Sequence, residues 1–308
     1  MGSLPSIMPR LRRGAAAQKR IDRVGWTAGT CIDSYGVRVG IRVNDPRLLD
    51  GLVPHLPPAW KPGRSAVVDR LFSLWVDPST TEPARPTRLY AERSRLVRTH
   101  SLGHALAILE SEIRQAVAAE SRRRVFVHAG VVGWRGRAIV IPGRSRSGKT
   151  TLVAELVRAG ADYYSDEFAV LDRGGRVSPF PKPLSIRGPG GCDVHARQRT
   201  VEELGGVRGQ RPLRVGLVVL TDHSPGARWR PERLSAGRAV LEMLSHTVPA
   251  RLRPEACLEA LDRAVAGALV LRGVRGEARD TARRILAWLD EPQGAASPGA
   301  PWDAKHTG

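Results

Sequence analysis

A chain of 308 residues is long enough to bury a sizeable core, and its length suggests about two domains. Hydrophobic residues at 42% and charged ones at 26% are ordinary for a soluble protein, and no apolar run approaches the ~20 residues of a membrane span, so a cytoplasmic protein without a membrane partner is expected. Lys+Arg 49 against Asp+Glu 30 gives +19, but scattered arginines, few aromatics and no nucleic-acid-binding signature favour a basic surface with an anionic substrate over a nucleic-acid role.

Residues 1–24 read as a flexible basic tail that lacks the apolar segment of a secretory signal. Cys31, Cys192 and Cys257 lie far apart, which indicates neither a disulfide framework nor a zinc site. Residues 25–100 read as a small α+β module. In it Val37, Val39, Ile41 and Val43 alternate with Arg38, Gly40 and Arg42, the pattern of a strand with its polar face outward. Asn44-Asp45-Pro46 then caps a short helix with an apolar stripe at Leu48, Leu49, Leu52 and Val53, broken by Pro54, Pro57 and Pro58. Strand-like runs follow at Leu71–Val76 and Leu89–Glu92, and no nucleophile, metal cluster or Gly-rich loop accompanies them.

From Ser101 a helical stripe runs through Leu102, Leu106, Leu109, Ile113 and Val117. The β-run Val125–Val132 and the run Arg137–Ile141, joined across Gly133 to Gly136, predict a hairpin. Directly after it stands G-x-x-x-x-G-K-[ST], made of Gly143, Arg144, Ser145, Arg146, Ser147, Gly148, Lys149 and Thr150 and followed by Thr151. The glycines let the backbone turn its N–H groups onto phosphate oxygens. Lys149 supplies a point charge for the β- and γ-phosphates, and the Thr150 hydroxyl a ligand for Mg²⁺. A helix opening at Lys149 turns its positive dipole end to the same anion and ends at Gly160.

Seventeen or so residues beyond the loop lysine, Asp166 and Glu167 stand between strand-like runs, where a nucleotide enzyme places a base and a metal ligand. Lys182 and Arg187, in the stiff segment Pro179–Arg187, are cations suited to substrate or phosphate contact. Cys192, Asp193 and His195 match no zinc spacing and read as a polar loop. A strand over Val215–Leu220 and helices near Ala239–Ser245, Ala256–Ala266 and Ala278–Leu289 complete the pattern before a Pro/Gly/Ala-rich tail, 291–308.

In order, His128-Ala129 on a strand, the loop Gly143–Thr150, a helix ending in Gly, Ser165-Asp166-Glu167 and Pro181-Lys182-Pro183-Leu184 resemble the catalytic domain of the HPr kinase/phosphorylase family and its HPr-kinase-like relatives. The resemblance covers about residues 125–190. It implies a P-loop nucleotide-binding domain of the HPr kinase C-terminal type, with a fold like that of ATP-dependent phosphoenolpyruvate carboxykinase, over 101–290. The implied activity is an ATP-dependent kinase acting on a serine-type hydroxyl of a peptide or small protein. Asp166 would take the hydroxyl proton with His128 assisting, Glu167 and Thr150 would hold Mg²⁺, and Lys149 would neutralise the transferred phosphoryl. The family also tends to form homo-oligomers. It usually has Gly where Arg146 stands and Asp where Glu167 stands, and the signature of true HPr kinases is absent from Ser185–Gly191. HPr is therefore not the expected acceptor; a peptide natural-product precursor is the alternative within the family. Outside it stand a nucleotide-binding regulator without catalysis and a small-molecule kinase.

Overall fold

A computed structural model of the chain describes residues 4–12, 19–22, 24–77, 86–144, 147–186 and 197–290, with the backbone alone at 19, 20 and 197. Ser145, Arg146, Arg187, the Cys192-Asp193-His195 cluster and the tail 291–308 lie outside the described residues. The structure is mixed α/β with several sheets. Its described residues divide into two compact units, one from Met1–Val127, Val170–Gly174 and Thr247–Ala260, the other from His128–Ala169, Gly175–His246 and Leu261–Gly308. No helix among them is long and apolar enough to cross a membrane.

The first unit contains β1 (Arg10–Leu11), α1 (Lys19–Asp22), β2 (Ala28–Ser34), β3 (Val37–Val43), β4 (Lys61–Pro62), β5 (Val67–Val68), β6 (Arg70–Trp75), β7 (Thr87–Ala91), β8 (Ser94–Thr99) and α2 (Leu102–Glu120). Six strands form a sheet in the order β4-β2-β3-β6-β7-β8. Tyr35 and Gly36, at φ +51° and +81°, make the two-residue turn between β2 and β3, a backbone twist that matches that of the paired strands. Ser101 caps α2 by accepting from the His104 N–H at 3.1 Å, and Ala105, Leu109, Ile113 and Val117 are buried along the helix. Because α2 packs on β7 and β8, the compact division falls after Val127 and not near residue 100.

Three expectations for this region are corrected. Residues 4–12 do not trail as a tail: β1 pairs with β5, the Ile7 N–H bonds the Gly29 carbonyl, and Pro9 lies where a side chain on Gly40 would stand. That cover turns part of the outward face of β3 inward. Arg42, on the same face as Gly40, is buried by other groups, donating to Ser73 Oγ at 2.7 Å and pairing with Asp22 at 2.5 Å, with its guanidinium 4.8 Å from the Trp26 ring. The helix after Asn44 is two 3-10 turns, Pro46–Leu48 and Asp50–His55, since Gly51 and Pro54 deny it an α-helical interior.

The chain continues through β9 (Val125–Trp134), β10 (Arg137–Pro142), α3 (Lys149–Arg158), β11 (Asp162–Ser165), β12 (Phe168–Leu171), β13 (Arg176–Ser178), β14 (Leu184–Ile186), β15 (Arg197–Arg199), β16 (Leu213–His223), β17 (Glu232–Arg233), α4 (Ala236–Leu244), α5 (Pro254–Val265), β18 (Leu269–Arg275) and α6 (Ala278–Asp290). The larger sheet is ordered β10-β9-β12-β13-β16-β18-β17, with β11 on β9 and a further pairing of β10 with β16. The expected hairpin is present, its turn narrowed to Arg135-Gly136 with Trp134 opposite Arg137. In the second unit β10 and β18 both run parallel to β16, so the carboxyl ends of three strands share one edge. Ala138 to Ile141 are buried, as a central strand requires. Leu152, Val153, Leu156 and Val157 of α3 join Ala278, Ala282, Ile285 and Leu286 of α6 in one apolar cluster, which fixes the helix that follows the loop.

Candidate functional site

The site grows from the end of β10. The Gly143 N–H donates to the His128 carbonyl at 3.2 Å, keeping the loop's first residue on the hairpin. A Cβ on Gly143 would meet Ser147 Oγ at 2.8 Å. Gly148, at φ +80°, is the residue before α3, and a Cβ there would lie 2.4 Å from the Arg275 guanidinium, so the position excludes a side chain twice over. Lys149 Nζ donates to the carbonyls of Gly143 at 2.8 Å and Arg144 at 2.5 Å. Burial, partly offset by the Asp166 charge, brings the Lys149 ammonium down to a pKa of about 8.

Beneath the loop, the Thr150 hydroxyl donates to Asp166 Oδ2 at 3.1 Å. Asp166 Oδ1 lies 3.2 Å from Lys182 Nζ and 3.1 Å from the Tyr163 hydroxyl, which also stands 2.8 Å from the Lys182 carbonyl. Lys182 Nζ is 3.9 Å from Glu167 Oε2, so this lysine is held on the acid pair. Ser165 Oγ accepts the N–H groups of Glu167 and Phe168 and fixes the turn that presents both acids. Burial, then the charge and hydrogen bond of Asp166, push the Tyr163 phenol well above its usual range, leaving it a proton donor.

The His128 ring lies tilted against the Phe168 ring with centroids 4.8 Å apart, and the His128 backbone N–H donates to the His246 carbonyl at 2.8 Å. Burial, then the charges of Lys149 and His246, lower the His128 imidazole below its ordinary value. His246 is lowered too, by burial and then by Lys149 and Arg144, against an opposite pull from Glu242 and Asp222. Arg275, 3% exposed at the end of β18, donates to the Gly148 carbonyl at 3.1 Å and the Ser147 carbonyl at 3.4 Å. Burial lowers its pKa, with Glu277 opposing.

A cleft of about 690 Å³ opens at the carboxyl ends of the three parallel strands, the place where open α/β sheets bind ligands. Its lining joins loop residues Gly143, Arg144 and Ser147 to Asp222, Arg272 and His246.

The structure thus brings Gly143, Lys149, Thr150, Asp166, Glu167 and Lys182 together, with His128 on the hairpin beside them. Thr151, next in the helix, is exposed. Tyr163, His246, Arg272 and Arg275 were not read as site residues from the sequence. The apolar run Leu269–Leu271 was a usable sign of β18, whereas His246 arrives by packing alone. Oxygen donors at Thr150, Asp166 and Glu167 suit Mg²⁺, which keeps few protein ligands and completes its shell with phosphate and water. Among the described residues no group of three or more His, Cys, Asp or Glu could hold a metal by itself. No protein-family model matches the chain, and no curated protein is similar enough in sequence to stand as a relative.

Proposed function

We propose that the chain is an ATP-dependent phosphotransferase of the HPr-kinase-like type, with a carboxykinase-like P-loop domain, acting on a hydroxyl of a peptide or small protein. One observation carries the reading: the Thr150 hydroxyl of the phosphate loop is bonded to Asp166 of the acid pair at 3.1 Å. A loop serving only as a turn has no need of a buried carboxylate under its threonine. ATP would lay its phosphates across the amides of Gly143–Thr150 at the N-terminus of α3, where dipole and Lys149 favour negative charge. Thr150 and Glu167, with Asp166 beside them, would hold Mg²⁺, which would supply charge neutralisation for the phosphates. Lys182 keeps the two carboxylates together, and Arg275 keeps the loop carbonyls turned away from the phosphates. Asp166 serves here as the anchor of Thr150 and of the metal side, which its contacts fit better than proton abstraction.

The test is Mg·ATP binding by calorimetry together with phosphate release and mass gain on serine-containing peptides. Lys149→Ala should weaken binding roughly 10- to 100-fold, the value of a charged hydrogen bond, and stop transfer. Binding and transfer unchanged in Lys149→Ala would sink the reading. Binding without transfer to any hydroxyl, water included, would return the chain to the nucleotide-binding regulators.

A further inference from the structure

Phosphoryl transfer to a hydroxyl needs a group to take the hydroxyl proton, and that group must be reachable by the acceptor. Asp166 is poorly placed for it. Both of its oxygens are engaged, by Thr150 on one side and by Lys182 and Tyr163 on the other, and its side chain is 3% exposed. It is not among the residues that line the cleft. The cleft shares Gly143, Arg144 and Ser147 with the phosphate loop, so a molecule lying in it lies against whatever the loop holds.

His246 is the imidazole in that wall. Its backbone is tied to the hairpin by the His128 N–H, so its position is set by the same strand that holds Gly143. The charged groups around it come from every neighbouring element. Arg144 and Lys149 face it from the loop and α3, Asp222 from β16, and Glu242 from α4, while Arg272 of β18 is paired with Glu242 at 2.6 Å.

We propose that the cleft admits the acceptor and that His246 receives the acceptor hydroxyl's proton, resting on the phosphotransferase reading above. The acceptor O–H proton passes to the imidazole lone pair as its oxygen forms the new bond to the γ-phosphorus. The bond from that phosphorus to the bridging oxygen breaks, and its electron pair leaves on ADP. The imidazolium then returns its proton to solvent. Burial, and then the cations on the loop side, favour the neutral ring, the form that accepts a proton at neutral pH. Asp222 and Glu242 act oppositely and set how far the acid limb of the rate profile lies below that of an ordinary histidine.

The experiment uses the full chain with Mg·ATP and two acceptors, water and N-acetyl-serine amide, over pH 5–9. His246→Gln should leave ATP affinity within about twofold, lower kcat by on the order of 10²-fold and flatten the acid limb. Asp222→Asn should move that limb to lower pH, whatever its effect on the plateau rate, because it removes a charge that favours the imidazolium; this second variant does not depend on His246→Gln folding well. A His246→Gln protein that retains both kcat and the acid limb overturns the proposal. A wild-type protein that binds no Mg·ATP, or binds it yet transfers to neither acceptor, shows a different failure, that of the phosphotransferase reading itself, and the proposal falls with it.

Discussion

Each of the two units holds a buried arginine, and the two are spent differently. Arg42 of the first is matched locally: Asp22 supplies a countercharge, Ser73 a hydroxyl and Trp26 a ring face. Nearby, Arg38 pairs with Asp69 at 3.0 Å and Arg70 with Glu92 and Glu120, so the charges of this sheet largely complete themselves. Arg275 of the second unit instead spends its hydrogen bonds on backbone carbonyls of Ser147, Gly148 and Gly276. Lys149 and His246 add further positive or protonatable groups around the same loop. Gathering like charges in a buried place costs free energy, which a bound anion would offset on the proposed reading.

The sharpest way to break that contrast is to remove both arginines. Arg42→Leu should cost about 2 kcal/mol of stability, through the lost charged hydrogen bonds and the orphaned Ser73, and leave ATP affinity unaltered. Arg275→Gln should do the reverse, weakening ATP binding by roughly tenfold with a small change in melting temperature, since the loop carbonyls lose their donor. Calorimetry and thermal melts on both variants decide it, and equal effects of the two on binding would erase the distinction.

A smaller effect lies in pH. His128 and His246 are both lowered, so the unfolded chain takes up protons at these sites before the folded one does. Stability from the second unit is therefore fully present above about pH 6.5, the unfolded histidine value, and is lost as pH falls through the folded values. In the first unit Asp69 is partly buried, which raises its pKa, yet the hydrogen bonds and charge of Arg38 outweigh this and lower it on balance. Its contribution persists until pH drops below about 4, the unfolded Asp value. Hydrogen exchange between pH 7 and 5 should thus show loosening around β9 and the loop before the β3–β6 pairing; uniform loosening would contradict it.

The smallest expected difference concerns Cys31. Burial pushes its thiol up to about 11, so the native protein at pH 8 should leave Cys31 unalkylated, and the denatured protein should not. Mass mapping of the modified residue reads this directly, and rapid native labelling would mean that the cover provided by residues 4–12 opens.

Much of the proposed nucleotide loop was legible because its residues are contiguous in sequence. Gly143, Gly148, Lys149 and Thr150 sit at fixed offsets in one loop, and a loop's phosphate geometry depends mainly on its own backbone. The hairpin of β9 and β10 was legible for the same local reason. The strand pattern of β3 was visible, but its polar face was not truly outward, because the groups that meet Arg42, Asp22 and Trp26, lie 20 and 16 residues upstream with no periodicity to announce them. β8 and β18 went unread: the first is half polar, and the second mixes an apolar run with Arg272 and Arg275.

The sequence by itself determined where a phosphate could be cradled and which two acids, Asp166 and Glu167, stand in family order downstream. Only the tertiary structure decided what those groups touch. It set Thr150 on Asp166, Lys182 on both acids, Arg275 under the loop, and His246 in the cleft wall. These are contacts between residues 15 to more than 100 positions apart. Their formation is driven by burial of α3 and α6 on the sheet and not by any local preference, so no window of sequence contains the information to place them.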